Sequence, residues 1–286
     1  MKSSMLKLLT IALLALSSTL VAADNAGDMD NKIVNYLEKA IAANDNYKLD
    51  KVAILKKDNL KEISGWKVYF VRLDLVLLKQ GNKNVSVNDV IFTDGKIMSK
   101  DLLSLENGRS IKNNLSLDLD SSAYTKEHLV AGNFDAPNKV VVFSDPMCPF
   151  CMDFVPEVIR DVQKHPETFA LFYYHFPLSI HPASPTFIKA MLVAEEKGMK
   201  DVVLKVYDEV FDLKTENEEF ILKAFNKALK TNITVADINK EAIVKRLNDD
   251  YTFAINLMIN GTPTVYLNGK KDISKRQYRE MIKEAK

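Results

Sequence analysis

The stretch SDPMCPFCMDF, residues 144–154, carries Cys148 and Cys151, the only two cysteines of a 286-residue chain. A structural disulfide stabilises mainly by closing a long loop in the unfolded chain, and this pair encloses only Pro149 and Phe150. A Cys-x-x-Cys pair can also supply half of a zinc site. The other half would have to come from His128, His165, His175 and His181, none of them at paired spacing beside another thiol. The third chemistry is thiol–disulfide exchange. Pro149 suits the first position of a helix, where no backbone donor is needed, so Cys148 falls where a strand gives way to a helix. Unpaired backbone N–H groups and the positive end of the helix dipole then face its sulfur and favour the thiolate, the form that attacks disulfides. Cys148 reads as the nucleophile, and Cys151, one turn later and more buried, as the resolving thiol.

The elements around this pair follow from the pattern. KVVVFS, from Lys139, is a short continuous apolar run, the mark of a strand buried on both faces. It ends at Asp145-Pro146, and a helix is expected from about Pro149 to Val162. TFALFYYHF is a second strand. Residues 182–259 are mostly helical in spacing, with stripes at Ile188, Met191, Leu192 and Ala194 and at Val203, Val206, Val210 and Phe211. TPTVYLNGKK returns to strand with an Asn268-Gly269 turn, and Ile273 to Ala285 closes as a helix. The order is β-α-β, a long helical insertion, then β-β-α.

The half before the cysteines is organised differently. Ile33, Leu37, Ala40 and Ile41 recur at helical spacing after Asp28 and Asp30, two candidate N-caps, which predicts an amphipathic helix over about residues 30–44. LDKVAILKK, WKVYFVRLDLVLL, VSVNDVIFT and KIMS then read as strands, with turns at Gly81-Asn82-Lys83-Asn84 and Asp94-Gly95. This is a small α+β domain over residues 24–100, without a catalytic constellation. Its long strand is apolar on both faces in places, Trp66, Val68 and Phe70 on one and Tyr69, Val71 and Leu73 on the other. A second copy of the chain would cover such surface, which predicts a homodimer through this domain; coverage by the linker or the second domain is the alternative. Residues 101–137, with polar clusters and no sustained period, read as a linker with one short helix near Tyr124 to Leu129.

The N-terminus has a basic start, an apolar stretch from Leu8 to Val21 and small residues at Val21-Ala22-Ala23, the pattern of a secretory signal peptide cleaved after Ala23. A membrane anchor is the competing reading, but Thr10, Ser17, Ser18 and Thr19 interrupt the stretch, which falls short of the ~20 apolar residues that span a bilayer. Export would place the chain in an oxidising compartment, where disulfides persist. Without Lys2 and Lys7 the 39 basic residues fall to 37 against 38 acidic ones, so no basic surplus points to nucleic acid. No cofactor is called for.

FSDPMCPFC resembles the active-site segment of secreted bacterial thioredoxin-fold proteins, in particular disulfide isomerases of the DsbG and DsbC type. GNFDAP before the strand, Pro156 within the first helix and GTPTVYLNG near the C-terminus extend the resemblance, and FPLSIHP is more typical of the DsbA-like branch. It covers residues 132–286. It implies a thioredoxin-like catalytic domain over 138–286, preceded by a cystatin-like dimerisation domain. It implies also that the Thr262-Pro263 bond is cis and lies against the cysteines, leaving the Thr262 backbone to bind an extended substrate strand. Two positions depart from the family. Phe150 stands where strong oxidases often carry His, and it cannot hydrogen-bond a thiolate, which predicts a milder depression of the Cys148 pKa and a weaker oxidant. Val142 stands six residues before Cys148, where a buried carboxylate is common. The nearby acid is Asp145, read here as a cap rather than a proton carrier. His175 and His181 are further candidates for moving a proton. Met147, Phe150, Met152 and Phe154 would give an apolar rim for unfolded substrates, with Phe154 the one most suited to the core.

The expected function is a periplasmic thiol:disulfide interchange protein that reshuffles or reduces wrong disulfides in secreted proteins. Cys148 and Cys151 would do the chemistry, Thr262, Pro263, Pro149, Phe150 and Met147 would hold substrate, and a membrane redox partner would reset the pair. The alternatives are a DsbA-like oxidase that donates its disulfide, and a redox-independent chaperone.

Overall fold

A computed structural model describes residues 26–79 and 81–284, which divide into two units at Leu115/Ser116. The signal-peptide reading falls on residues 1–23 and lies outside the described residues. Among the described residues no helix is long and apolar enough to cross a membrane.

In the first unit, helix α1 (Ala26–Ala42) buries Ile33, Leu37 and Ile41 at four-residue spacing on an antiparallel sheet. Asp30, expected as a cap, lies inside this helix and pairs instead with Lys57 at 2.7 Å. The sheet runs in sequence order: β1 (Tyr47–Asn59), β2 (Lys67–Leu77), β3 (Lys83–Thr93), β4 (Met98–Ser99). Tyr69, Val71, Leu73, Leu75 and Ile91 pack with the helix. On the opposite face Val68 and Phe70 are buried beside their cross-strand partners Phe92 and Val90. Farther along that face the residues turn polar, with Arg72 and Asp74 paired at 3.3 Å and Ser86 donating to Asp74. Among the described residues this face is therefore not openly apolar: its apolar half is buried and its other half is charged. The outer edge, β1, carries Lys48, Asp50, Lys51, Lys56, Lys57 and Asp58 and two register shifts, features that resist pairing with another strand.

Residues 101–137 are not a free linker. Residues 101–115 fall within the first unit, where Leu103 bridges Ser110 and a short 3-10 turn, Ile111–Asn114, buries Ile111. Residues 116–137 belong to the second unit. Leu119, Ala123 and Ala136 are buried there, and the helix expected near Tyr124 is replaced by a 3-10 turn at Ser121–Ala123 and a strand, β5 (Leu129–Gly132). A four-residue strand is too short to show a period, and Asp120 accepts from the Ser122 N–H, so the polar residues there form a turn.

The second unit is built on a five-stranded sheet in the order β5-β7-β6-β8-β9. The strands are β6 (Asn138–Ser144), β7 (Phe169–His175), β8 (Thr264–Leu267) and β9 (Lys270–Lys271). Only β6 and β7 run parallel, joined by helix α2 (Pro149–Lys164). Helices α3 (Ser184–Glu196), α4 (Val202–Tyr207), α5 (Glu218–Leu229), α6 (Val235–Ile238) and α7 (Glu241–Asn256) fill the insertion, and α8 (Gln277–Glu284) closes the unit. Period-two alternation sorts the core: Val140 and Val142 pack with α2, while Val141 and Phe143 pack with Ala254 of α7. α8 starts four residues later than expected because Asp272 accepts from Ser274 and from the Gln277 N–H, holding a turn where helix was predicted.

Gly132 ends β5 at φ +78°, and a Cβ there would lie 1.9 Å from the backbone oxygen of Phe169. Backbone cannot swing aside as a side-chain tip can. Gly132→Ala is expected to cost about 3 kcal/mol or more in urea unfolding; a loss below about 1 kcal/mol would contradict this geometry.

Candidate active site at the start of helix α2

Cys148 is the N-cap of α2, in extended conformation, and Pro149 holds the first helical position. The Cys148 carbonyl accepts from the N–H groups of Cys151 at 2.9 Å and Met152 at 3.1 Å, so the helix begins directly under the first thiol. Cys151 is fully buried and Cys148 nearly so, while Pro149 and Phe150 are exposed, Phe150 by 71%. Both cysteines are free thiols.

The two sulfurs titrate in opposite directions. A hydrogen bond from the Cys151 thiol draws the Cys148 pKa down to about 5, against the opposing effect of burial; Thr262 and the N–H groups of Cys151 and Phe150 lower it further. Burial raises the Cys151 pKa far above that of an ordinary thiol, and the hydrogen bond given to Cys148 raises it again. One sulfur is favoured as thiolate and the other is held protonated. Phe150 takes part only through its backbone, and the mild depression expected from the lack of an imidazole is not what the site shows: the Cys151 thiol and the backbone N–H groups supply the stabilisation instead.

The Thr262-Pro263 peptide bond is cis. The Cys148 thiol donates to the Thr262 carbonyl at 3.6 Å, so in the dithiol this carbonyl is occupied rather than open to substrate; it becomes available once the thiol proton leaves. Beside it, a groove of about 250 Å³ is lined by Phe150, Phe154 and Pro263, by Asp153 and Glu157 of α2, and by Ser274, Lys275, Arg276 and Arg279. Arg279 is tied to Glu157 and Asp161.

Several expected roles change. Met147 is 8% exposed and packs in the core with the cysteines, so it is not part of a substrate rim; Phe154, assigned to the core, lines the groove instead. Asp145 is fully buried. Its Oδ1 accepts from the Met147 N–H at 2.8 Å and the Ser184 hydroxyl at 2.5 Å, and its Oδ2 from the Leu178 N–H at 2.8 Å. His181 Nδ1 lies 2.8 Å from the same oxygen. The carboxylate is thus a clamp on the loop before α2 and not the helix cap expected of it, since Cys148 holds the N-cap position and no side chain caps the helix. His175 is buried with its Nδ1 unpartnered, and burial lowers its pKa to about 4, so at neutral pH its imidazole is uncharged. Among the described residues no cluster of three or more His, Cys, Asp or Glu side chains converges as a metal site would. The sequence reading missed Ser144, Tyr173 and Tyr207, whose hydroxyls meet in the core behind Cys151. Ser144 had a local signal, the polar end of an apolar strand; Tyr207, on α4, had none.

Residues 124–284, more than half of the chain, match the family described as Thioredoxin. The chain belongs to the thioredoxin family. Its curated relatives include the proteins named Na(+)/H(+) antiporter NhaA 1 of Mycolicibacterium vanbaalenii and of Mycolicibacterium gilvum, each 28% identical. The matches cover 49% and 50% of this chain and 23% of each relative, so the chain spans under a quarter of their length. Among solved structures, a thioredoxin-like oxidoreductase from Silicibacter pomeroyi is 18% identical, with a TM-score of 0.47, covering 58% of this chain and 98% of that one. The catalytic domain of Proteus mirabilis ScsC is 21% identical, with a TM-score of 0.44 and coverage of 58% and 94%.

Proposed function

We propose that this thioredoxin-family protein is a protein thiol–disulfide oxidoreductase that acts on exported proteins in the periplasm. The observation that carries the reading is the pairing of a stabilised thiolate at the N-cap of α2 with a buried, protonated thiol one turn later, beneath the Thr262-Pro263 loop. The periplasmic location rests on the N-terminal sequence. The groove beside Cys148 would take the polypeptide flanking a substrate cysteine, apolar residues against Phe150 and Phe154 and acidic ones toward Lys275 and Arg276.

Of the two directions of electron flow, donation of the disulfide is favoured. A thiolate stabilised this strongly makes Cys148 a good leaving group, and stabilising the reduced form makes the disulfide oxidising. A membrane redox partner would then reoxidise the pair. The second reading is a DsbG- or DsbC-like isomerase or reductase, supported by the separate α+β unit at the N-terminus, which has no catalytic group of its own. A cystatin-like dimerisation role for that unit belongs to this reading. Since the β1 edge is charged and bulged, a dimer would have to form on another surface.

The test pairs two substrates. The oxidised protein is expected to restore activity to reduced, unfolded ribonuclease faster than the reduced protein rescues ribonuclease with scrambled disulfides. The opposite order would install the isomerase reading; activity toward neither substrate would remove both.

A further inference from the structure

We propose that the hydroxyls of Ser144, Tyr207 and Tyr173 form a buried chain that stabilises Cys151 as a thiolate when it resolves a mixed disulfide. The inference rests on the exchange reading above and concerns the step that links the mixed disulfide to the Cys148–Cys151 disulfide. When the protein donates its disulfide this step runs in reverse, with Cys151 leaving as the thiolate. In the direction that reduces substrate, the Cys151 thiol loses its proton to solvent and its sulfur attacks the Cys148 sulfur. The bond between Cys148 and substrate breaks, the substrate leaves as a thiolate, and a Cys148–Cys151 disulfide forms. Two protein thiols are oxidised and the substrate disulfide is reduced. By then Cys148 is bonded to substrate and can no longer assist its neighbour.

Alternation along β6 puts Ser144 on the same side as Val140 and Val142, which share a core with Cys151, Tyr173 and Tyr207. Ser144 is fully buried, its Oγ lies 2.8 Å from the Tyr207 hydroxyl, and that hydroxyl lies 3.0 Å from the Tyr173 hydroxyl. Three hydroxyls bring three protons to two links, so one proton must point out of the chain. Leaving it without an acceptor in the core would cost about 1–3 kcal/mol. Cys151 lies in the same core as Tyr173 and Tyr207, and the Ser144 hydroxyl favours its ionised form, which makes its sulfur the acceptor for that proton. The chain therefore runs from Tyr173 through Tyr207 and Ser144 to Cys151.

The other groups near this sulfur do not fill the role. Val142, six residues before Cys148, has no polar atom to offer. Four donors already engage the Asp145 carboxylate, although the Asp145 backbone N–H and the Thr262 side chain also favour the Cys151 thiolate. His175 stands edge-on to Tyr173 at 4.9 Å and stays neutral above about pH 4. Of the two hydroxyls that favour the ionised sulfur, Ser144 has the larger effect and is the one joined to a buried chain, with Tyr207 a positioning residue behind it.

Mixing the reduced full-length protein with a chromogenic aromatic disulfide, dithiobis(nitrobenzoate), separates the two steps. Cys148 releases the first nitrobenzoate thiolate and Cys151 the second. Ser144→Ala is expected to slow the second release about tenfold and shift its pH midpoint up by about one unit, with the first changed less than about twofold. Ser144→Thr should restore the second release, and Tyr207→Phe should slow it about threefold. Should Ser144→Ala fail to fold, the isosteric Tyr207→Phe reads the same two phases. A second release unchanged in the variants, or both phases slowed equally, overturns the proposal. Absence of the first release in the unaltered protein would instead remove the exchange reading on which it rests.

Discussion

Cys148→Ser is expected to abolish thiol–disulfide exchange, and Cys151→Ser to leave a protein that captures substrates and holds them. The asymmetry follows from the opposed titration of the two sulfurs. Cys148 sits at the N-cap of α2 and is ionised near neutral pH, while Cys151 is fully buried and protonated. A serine hydroxyl is a far weaker nucleophile than a thiolate, so turnover of ribonuclease disulfides should fall to the uncatalysed background. In Cys151→Ser the attack still occurs, but nothing resolves the adduct, and substrate should appear covalently attached on non-reducing gels. Loss of the Cys151 hydrogen bond should also raise the Cys148 pKa in that variant, because that bond is the largest cause of its depression. Full activity in Cys148→Ser would instead favour the redox-independent chaperone.

The second large effect is expected in the loop just before the cysteines, at Asp145→Ala. This carboxylate is fully buried and ties the loop before α2, through the Met147 N–H, to the segment entering α3, through the Leu178 N–H, His181 and Ser184. Alanine would leave those partners buried without an acceptor, a loss of about 3–5 kcal/mol. Asp145→Asn keeps the shape but presents an amide N–H₂ to two donors, so it should lose about half as much. Urea unfolding of the oxidised proteins measures both. A loss below about 1 kcal/mol for the alanine variant would mean that the clamp is not what holds Cys148 in place.

Much of the site was legible because its parts are adjacent in the chain. The strand KVVVFS, the turn at Asp145-Pro146, and Pro149 at the first helical position place Cys148 at a helix N-cap by local rules alone. Thr262 and Pro263 lie more than a hundred residues from Cys148, and their place came from resemblance. What stayed hidden was set by partners distant in sequence. Asp145 reads locally as a cap, and only the folded chain brings Leu178, His181 and Ser184 onto its oxygens. Met147 and Phe154 both look like rim or core by type, and the orientation of α2 decides between them. Tyr207 meets Ser144 across 63 positions, with nothing in either local pattern to announce it. In the first unit the long strand WKVYFVRLDLVLL was read as apolar on two faces, but Arg72 and Asp74 divide one of those faces, and the argument for a second copy weakens with it. β5, at four residues, is too short for period to reveal.

The most direct test of the central claim is a pH titration of the reduced protein, following thiolate by its ultraviolet absorbance, with Cys148→Ser as control. One thiolate should form with a midpoint near 5, vanish in Cys148→Ser, and remain alone until strongly alkaline pH. Stability should follow the same window. A folded pKa below the unfolded thiol value of about 8.5 means that the thiolate's contribution is fully present above that value and is lost as pH falls through about 5. The oxidised protein, with no thiol to titrate, should lack this dependence. A midpoint near that of an ordinary thiol, or a thiolate that survives in Cys148→Ser, would contradict the assignment of Cys148 as the stabilised nucleophile.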